Sequence, residues 1–140
     1  MLRKKKSKNR KNNLQEEVVQ GYLRGLNHMI AGQPNQAIAE FSKTASISST
    51  LPELYLKLGD LFREKGDIER AIRLHQGVTV RSGVSPEIKI QALNGLARDY
   101  RSGGFIDRAV ATFEEVLKQD RDHKQALRSL GTIYLEECEW

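Results

Sequence analysis

The sequence has few means of cross-linking itself and none of crossing a bilayer as a helix. One cysteine, Cys138, excludes an internal disulfide and a multi-cysteine zinc site, and it suits a reducing compartment. No apolar run approaches the roughly 20 residues that span a membrane. The basic start leads into polar residues, not the apolar stretch of a secretory signal. Acidic residues are missing from positions 1–13, which hold Arg3, Lys4, Lys5, Lys6, Lys8, Arg10 and Lys11. Without that segment the chain carries 16 basic and 18 acidic groups, a net −2, so the high isoelectric point belongs to a short tail. A nucleic-acid-binding domain would carry its positive charge on the folded part.

What is present reads as one helical domain. The 140 residues are 39% hydrophobic and 29% charged, which fits a soluble, helix-rich fold with a sizeable core. Residues 1–13 read as a disordered lead-in, and residues 14–140 as the folded part. An internal repeat organises that part. Ala37, Ala71 and Ala109 stand 34 and 38 residues apart, and each follows a glycine by five positions: Gly32, Gly66 and Gly104. Four residues after each alanine come Phe41, His75 and Phe113. Twelve residues before each alanine stand Gly25, Gly59 and Ala97, a series that continues at Gly131.

A period of 34 with small residues at these offsets resembles the tetratricopeptide repeat, a helix–turn–helix unit. The stretch Tyr55-Leu56-Lys57-Leu58-Gly59-Asp60-Leu61-Phe62 carries the aromatic-x-x-Leu-Gly-x-x-aromatic signature. The expected fold is therefore an all-α, right-handed tetratricopeptide superhelix (an α-solenoid) of about three and a half repeats. Repeats are expected at about 18–51, 52–85 and 90–123, with a partial one at 124–140. Helical periodicity and turn chemistry place seven helices at about 15–31, 35–47, 52–65, 68–81, 86–102, 105–118 and 124–138. Gly66-Asp67 reads as a helix stop followed by an N-cap, and Ser85-Pro86-Glu87 as a cap, a proline and a first-turn acid. The four extra residues of the 38-residue spacing are expected in the loop around Ser82–Ser85. The last repeat stops after one helix, which points to a segment cut from a longer protein.

The likeness extends to a particular family. Gly25-Leu26-Asn27, the run from Leu61 to Gln76, Asp99-Tyr100, Asp107-Arg108-Ala109 and Glu139-Trp140 resemble lipopolysaccharide assembly protein B over about residues 18–140. That resemblance implies a membrane-anchored cytoplasmic adaptor at the inner face of the cell membrane. Its implied partners are the lipid A deacetylase and a membrane-bound protease. It also implies a membrane helix before the repeats and a rubredoxin-like zinc module after them, and this sequence contains neither. The basic residues of positions 1–13 would suit the cytoplasmic flank of such a helix, or would adsorb to anionic headgroups directly.

Helical phase assigns the candidate partner-binding residues to the first helix of each repeat: Lys57, Asp60, Arg63, Asn94, Arg98, Arg101 and Arg128. The cations among them would make a concave groove positive, suited to an acidic or carboxylate-bearing protein or peptide. The first repeat instead offers the apolar residues Tyr22, Leu26, Met29 and Ile30. These read as core or as a contact patch for a partner helix, a membrane surface or a second copy. The end around Leu135 and Trp140 is the other candidate dimer contact.

No chemistry-bearing constellation emerges. His28, His75 and His123 fall in different repeats without a second ligand at i+3 or i+4. His75 takes the place of Phe41 and Phe113 and reads as a core imidazole with one hydrogen-bond partner. Cys138 has no nearby histidine or basic cluster of the kind that marks a reactive thiol. Neighbouring acids such as Glu114-Glu115 diverge on a helix. The sequence therefore reads as a non-enzymatic interaction scaffold without a cofactor. Two alternatives stand beside it: a generic peptide-binding, co-chaperone-like module, and a nucleic-acid-associated protein acting through its basic tail.

Overall fold

The computed structural model describes residues 1–139, so Trp140 and the dimer contact assigned to it lie outside the described residues. Among these residues the chain is helical throughout. The helices are α1 (Leu2–Ile30), α2 (Pro34–Ile47), α3 (Pro52–Glu64), α4 (Ile68–Thr79), α5 (Pro86–Ser102), α6 (Ile106–Gln119) and α7 (Lys124–Cys138). The chain divides into two compact units, residues 1–54 and residues 55–140.

The first unit is built on the α1–α2 pair. Val18, Gly21 and Gly25 of α1 are buried with Ala37, Phe41 and Thr44 of α2. The Phe41 ring lies against Gly25 so closely that a methyl group there would overlap it. Tyr22, one turn before Gly25, packs on the same ring with centroids 5.7 Å apart. One difference from the sequence reading is plain: α1 begins at Leu2, not near residue 15. Residues 2–13 are exposed helix, where their composition suggests a disordered lead-in. Lysine and arginine are good helix formers, and no proline or glycine interrupts the chain from Leu2 to Gln20.

The second unit repeats the pattern. A methyl group on Gly59 of α3 would come within 2.5 Å of the His75 ring of α4, and one on Gly95 of α5 within 2.7 Å. The imidazole thus sits between two helices where no side chain competes for the space. Phe113 and Ala109 of α6 share a core with Ala97, Ala126, Leu130 and Ile133. A second cluster joins Leu56, Val78 and Ala92.

The turns follow from local chemistry. Gly66 adopts φ +84°, and the Asp67 N–H reaches back to the Phe62 carbonyl at 2.9 Å, closing α3. A residue with a side chain would be strained in that left-handed conformation. The same turn recurs at Gly32 and Gly104. Asp67 then caps α4 by accepting from the Arg70 N–H. Ser85 caps α5 by accepting from the Ile88 N–H, with Pro86 in the first turn.

The four extra residues are not chiefly in the loop. α5 starts eleven residues before Ala97, whereas α3 and α7 start seven before Gly59 and Gly131. The insertion is therefore an added first turn on α5. The Ser85-Pro86 cap fixes that start, and Ile88 of the added turn packs on the Leu56–Val78 cluster.

The close approach at Gly25 carries a direct consequence. Gly25→Ala is expected to lower stability by about 1–3 kcal/mol, although alanine favours helix, because the ring must move. Urea unfolding of the two forms measures the difference.

Candidate functional site

The second unit has a buried polar centre. His75 is 1% exposed and Asp99 0%. His75 Nδ1 lies 2.5 Å from Asp99 Oδ2, and Nε2 lies 3.2 Å from the Leu56 carbonyl and 3.5 Å from Asp60 Oδ1. Arg63 donates through Nη1 to Asp99 Oδ1 and through Nη2 to Asp60 Oδ1, both at 2.8 Å. Two cations thus face two carboxylates, and residues of α3, α4 and α5 are tied into one neutral quartet. Burial works against the charged imidazole, but hydrogen bonds and attraction from Asp60 and Asp99 outweigh it and raise the His75 pKa to about 9. Asp60 is pushed up by burial, but the His75 hydrogen bond and Arg63 overcome this and hold it below the usual carboxylate range. His75 is a core imidazole, as its repeat position suggests, but it has several partners, not one.

A His–Asp pair invites an acid–base reading, and burial closes it. Both groups lie out of solvent, and the imidazole nitrogen away from Asp99 faces a main-chain carbonyl.

The assigned groove residues divide into four groups. Asp60 and Arg63 belong to the quartet, and Arg63's side chain is only 7% exposed. These two are framework as much as surface. The ion pairs with Asp60 and Asp99 were invisible as a set, because the partners lie 3 and 36 residues away. Asn94 is also buried, at 6% exposed. Its Nδ2 donates to Gln125 Oε1 of α7 at 2.7 Å, and its Oδ1 has no hydrogen-bond partner among the described residues. Arg98 and Arg101 keep the assigned position. With Arg63, Ser102 and Ser129 they line one open pocket of about 320 Å³ across α3, α5 and α7. Arg101 reaches Glu136 at 3.2 Å, whereas Arg98 makes no ion pair among the described residues. Burial, then the nearby Arg63 charge, lower the Arg98 pKa. Lys57 is half-buried and Arg128 exposed, and neither lines this pocket. Ser102, Ser129 and Gln125 are additions that helical phase alone did not single out.

In the first unit, the apolar candidates also separate. Tyr22 packs on Phe41, Leu26 and Met29 are half-buried, and only Ile30, at 86%, is freely exposed. Val19 and Leu23 are more open than the three named with it. The cations of residues 3–11 project from a fully exposed stretch of helix.

These features define an all-α fold of the tetratricopeptide solenoid class, and a family model described as Tetratricopeptide repeat matches residues 94–137. In sequence the chain is similar to Lipopolysaccharide assembly protein B of Escherichia coli (strain K12), at 32% identity over 119 residues. That match covers 85% of this chain and 31% of the relative, so the chain spans about a third of the length of the curated protein it matches. Among solved structures, the Arabidopsis OM64 TPR domain is similar with a TM-score of 0.78 at 14% identity, covering 88% of this chain and 98% of that one. The second TPR domain of human RPAP3, solved in complex with HSP70 peptide SGPTIEEVD, gives 0.75 at 17% identity, covering 86% and 98%. At those identities the likeness is one of fold. No helix among the described residues is long and apolar enough to cross a membrane.

The raised His75 pKa fixes a pH dependence. Folding binds the proton more tightly than the unfolded chain, whose histidine titrates near about 6.5. The His75 contribution is therefore complete below about pH 6.5 and fades as pH rises through about 9. Thermal melts from pH 6 to 9.5 should show that decline. His75→Phe should flatten it and cost about 3 kcal/mol at pH 6, because buried carboxylates lose a counter-charge.

Proposed function

We propose that this chain is a non-enzymatic protein-interaction scaffold that binds an acidic, carboxylate-bearing peptide segment through its second unit. The observation that carries the reading is the convergence of Arg63, Arg98 and Arg101 on one open pocket, with Arg98 in no ion pair among the described residues. A carboxylate entering the pocket would relieve the like-charge pressure on Arg98 and form charge-assisted hydrogen bonds with its planar guanidinium. Ser102 and Ser129 add hydroxyl donors at the rim. That the RPAP3 domain was solved with a peptide rich in carboxylates supports a ligand of this kind for the fold.

The likeness to Lipopolysaccharide assembly protein B supports a role in the control of lipopolysaccharide synthesis. In that role the scaffold brings the lipid A deacetylase to a membrane-bound protease, on the cytoplasmic face of the cell membrane. The cationic first turns of α1 suit that place. Seven basic groups on exposed helix attract anionic headgroups at about 1 kcal/mol per cation near the surface.

Two measurements test these readings. An acidic segment of the deacetylase titrated against the parent and an Arg98→Glu plus Arg101→Glu variant should bind the variant at least about tenfold more weakly. Equal affinities remove the groove as the site. Co-sedimentation with anionic vesicles should fall when residues 1–13 are deleted, and equal binding by both forms removes the membrane role.

A further inference from the structure

Arg63 belongs to two places at once. Its guanidinium holds Asp60 and Asp99, each at 2.8 Å, and it also lines the open pocket beside Arg98. The buried quartet and the pocket are therefore one electrostatic system joined through a single side chain. The charged groups gathered around the His75 imidazole are Asp60 and Arg63 from α3 and Asp99 from α5. Those of its own helix are engaged at the surface, where Arg70 pairs with Asp67 and Arg73 with Glu69.

The count of charges decides what Arg98 can do. Arg63 and a protonated His75 balance Asp60 and Asp99, so the quartet requires no further cation. Arg98 stands immediately before Asp99 in α5, half-buried and in no ion pair among the described residues. Burial and then Arg63 lower its pKa, while Asp60, Asp99 and Glu64 draw on its charge. Without the imidazolium, two carboxylates would be left to one arginine. A carboxylate short of a counter-charge, out of reach of bulk water, attracts a neighbouring cation strongly. Arg98 is the cation at hand.

We propose that His75 is a positioning residue for the pocket: its charge satisfies the buried carboxylates and so leaves Arg98 free for an anionic ligand. Without that charge Arg98 turns to Asp60, whose side chain is 32% exposed, and the pocket loses its unpaired cation. A phenylalanine, as at Phe41 and Phe113, would fill the same notch but could not hold Arg98 in reserve. The consequence for binding rests on the carboxylate reading of the pocket, whereas the pairing state of Arg98 does not.

Arg98→Gln reports that pairing state without any ligand. At pH 7 its melting temperature should lie close to the parent's, because the side chain it removes holds no ion pair. In the His75→Phe background the same change should lower the melting temperature by at least about 3 °C. Asp60→Asn added to His75→Phe restores the balance, one arginine to one carboxylate, so Arg98→Gln should again be nearly silent there. A ring that merely fills space would not give that rescue. Should His75→Phe fail to fold, the parent supplies the comparison by pH, since the loss on Arg98→Gln should grow as pH rises from 7 through about 9. The peptide SGPTIEEVD, acetylated at its N-terminus, probes binding. Its affinity should fall at least about fivefold with His75→Phe and recover when Asp60→Asn is added. Equal effects of Arg98→Gln in every background and at both pH values overturn the proposal. Unchanged affinity of His75→Phe for a peptide that the parent binds overturns it as well. A peptide bound by none of the forms, with the Arg98 dependence present, sinks the carboxylate reading and upholds the role of His75.

Discussion

Helices in this chain meet where one omits a side chain and its neighbour supplies a ring. Gly25 receives Phe41, and Gly59 and Gly95 together receive His75. Ala97 shares its core with Phe113. Glycine inside a helix costs roughly 1 kcal/mol relative to alanine. That cost is offset because a large ring gains contact on all sides and the helix axes come close. The caps and left-handed glycine turns set where each helix starts and stops, but these fitted spaces decide which face of each helix turns inward.

Histidine at one of these ring positions changes the chemistry of the second unit. A phenyl ring would need only apolar walls. An imidazole brings two polar nitrogens into a place closed to water, and both must be satisfied. Asp99 and the Leu56 carbonyl do this, with Asp60 close by. A buried Asp99 then requires more positive charge, which Arg63 provides. One substitution within the repeat pattern thereby commits four ionisable groups, and it draws Arg63 and Asp60 away from the surface that their helical phase would give them. The pocket's charge available to a ligand rests on Arg98 and, past its ion pair with Glu136, on Arg101.

Much of this was legible before any coordinates. The glycine–alanine–ring spacing located the helix pairs, and Gly66-Asp67 and Ser85-Pro86 marked ends that the helices respect. The run of lysines and arginines at positions 3–11 misled, because composition reports the lack of an apolar face but not whether a neighbouring helix extends through it. The added turn on α5 was misplaced for a related reason. Periodicity counts residues between landmarks without saying whether they lie in a loop or in one more turn. Phase alone placed Arg98 and Arg101 on the face of α5 turned toward α3 and α7, where they line one pocket. His75 announced itself by standing where phenylalanine stands in the other repeats.

The order of elements, the repeat period and the identity of the notch-filling residues were set by the amino-acid sequence alone, because each rests on neighbours within about one helical turn or on a fixed spacing. Which charges cancel was decided only in three dimensions. Arg63, His75 and Asp99 belong to three different helices, and an ion pair across 24 or 36 residues leaves no periodic trace. Burial of Asp99 and the free rim at Arg98 are likewise properties of packed helices, since solvent access at one residue is set by what the rest of the chain lays over it.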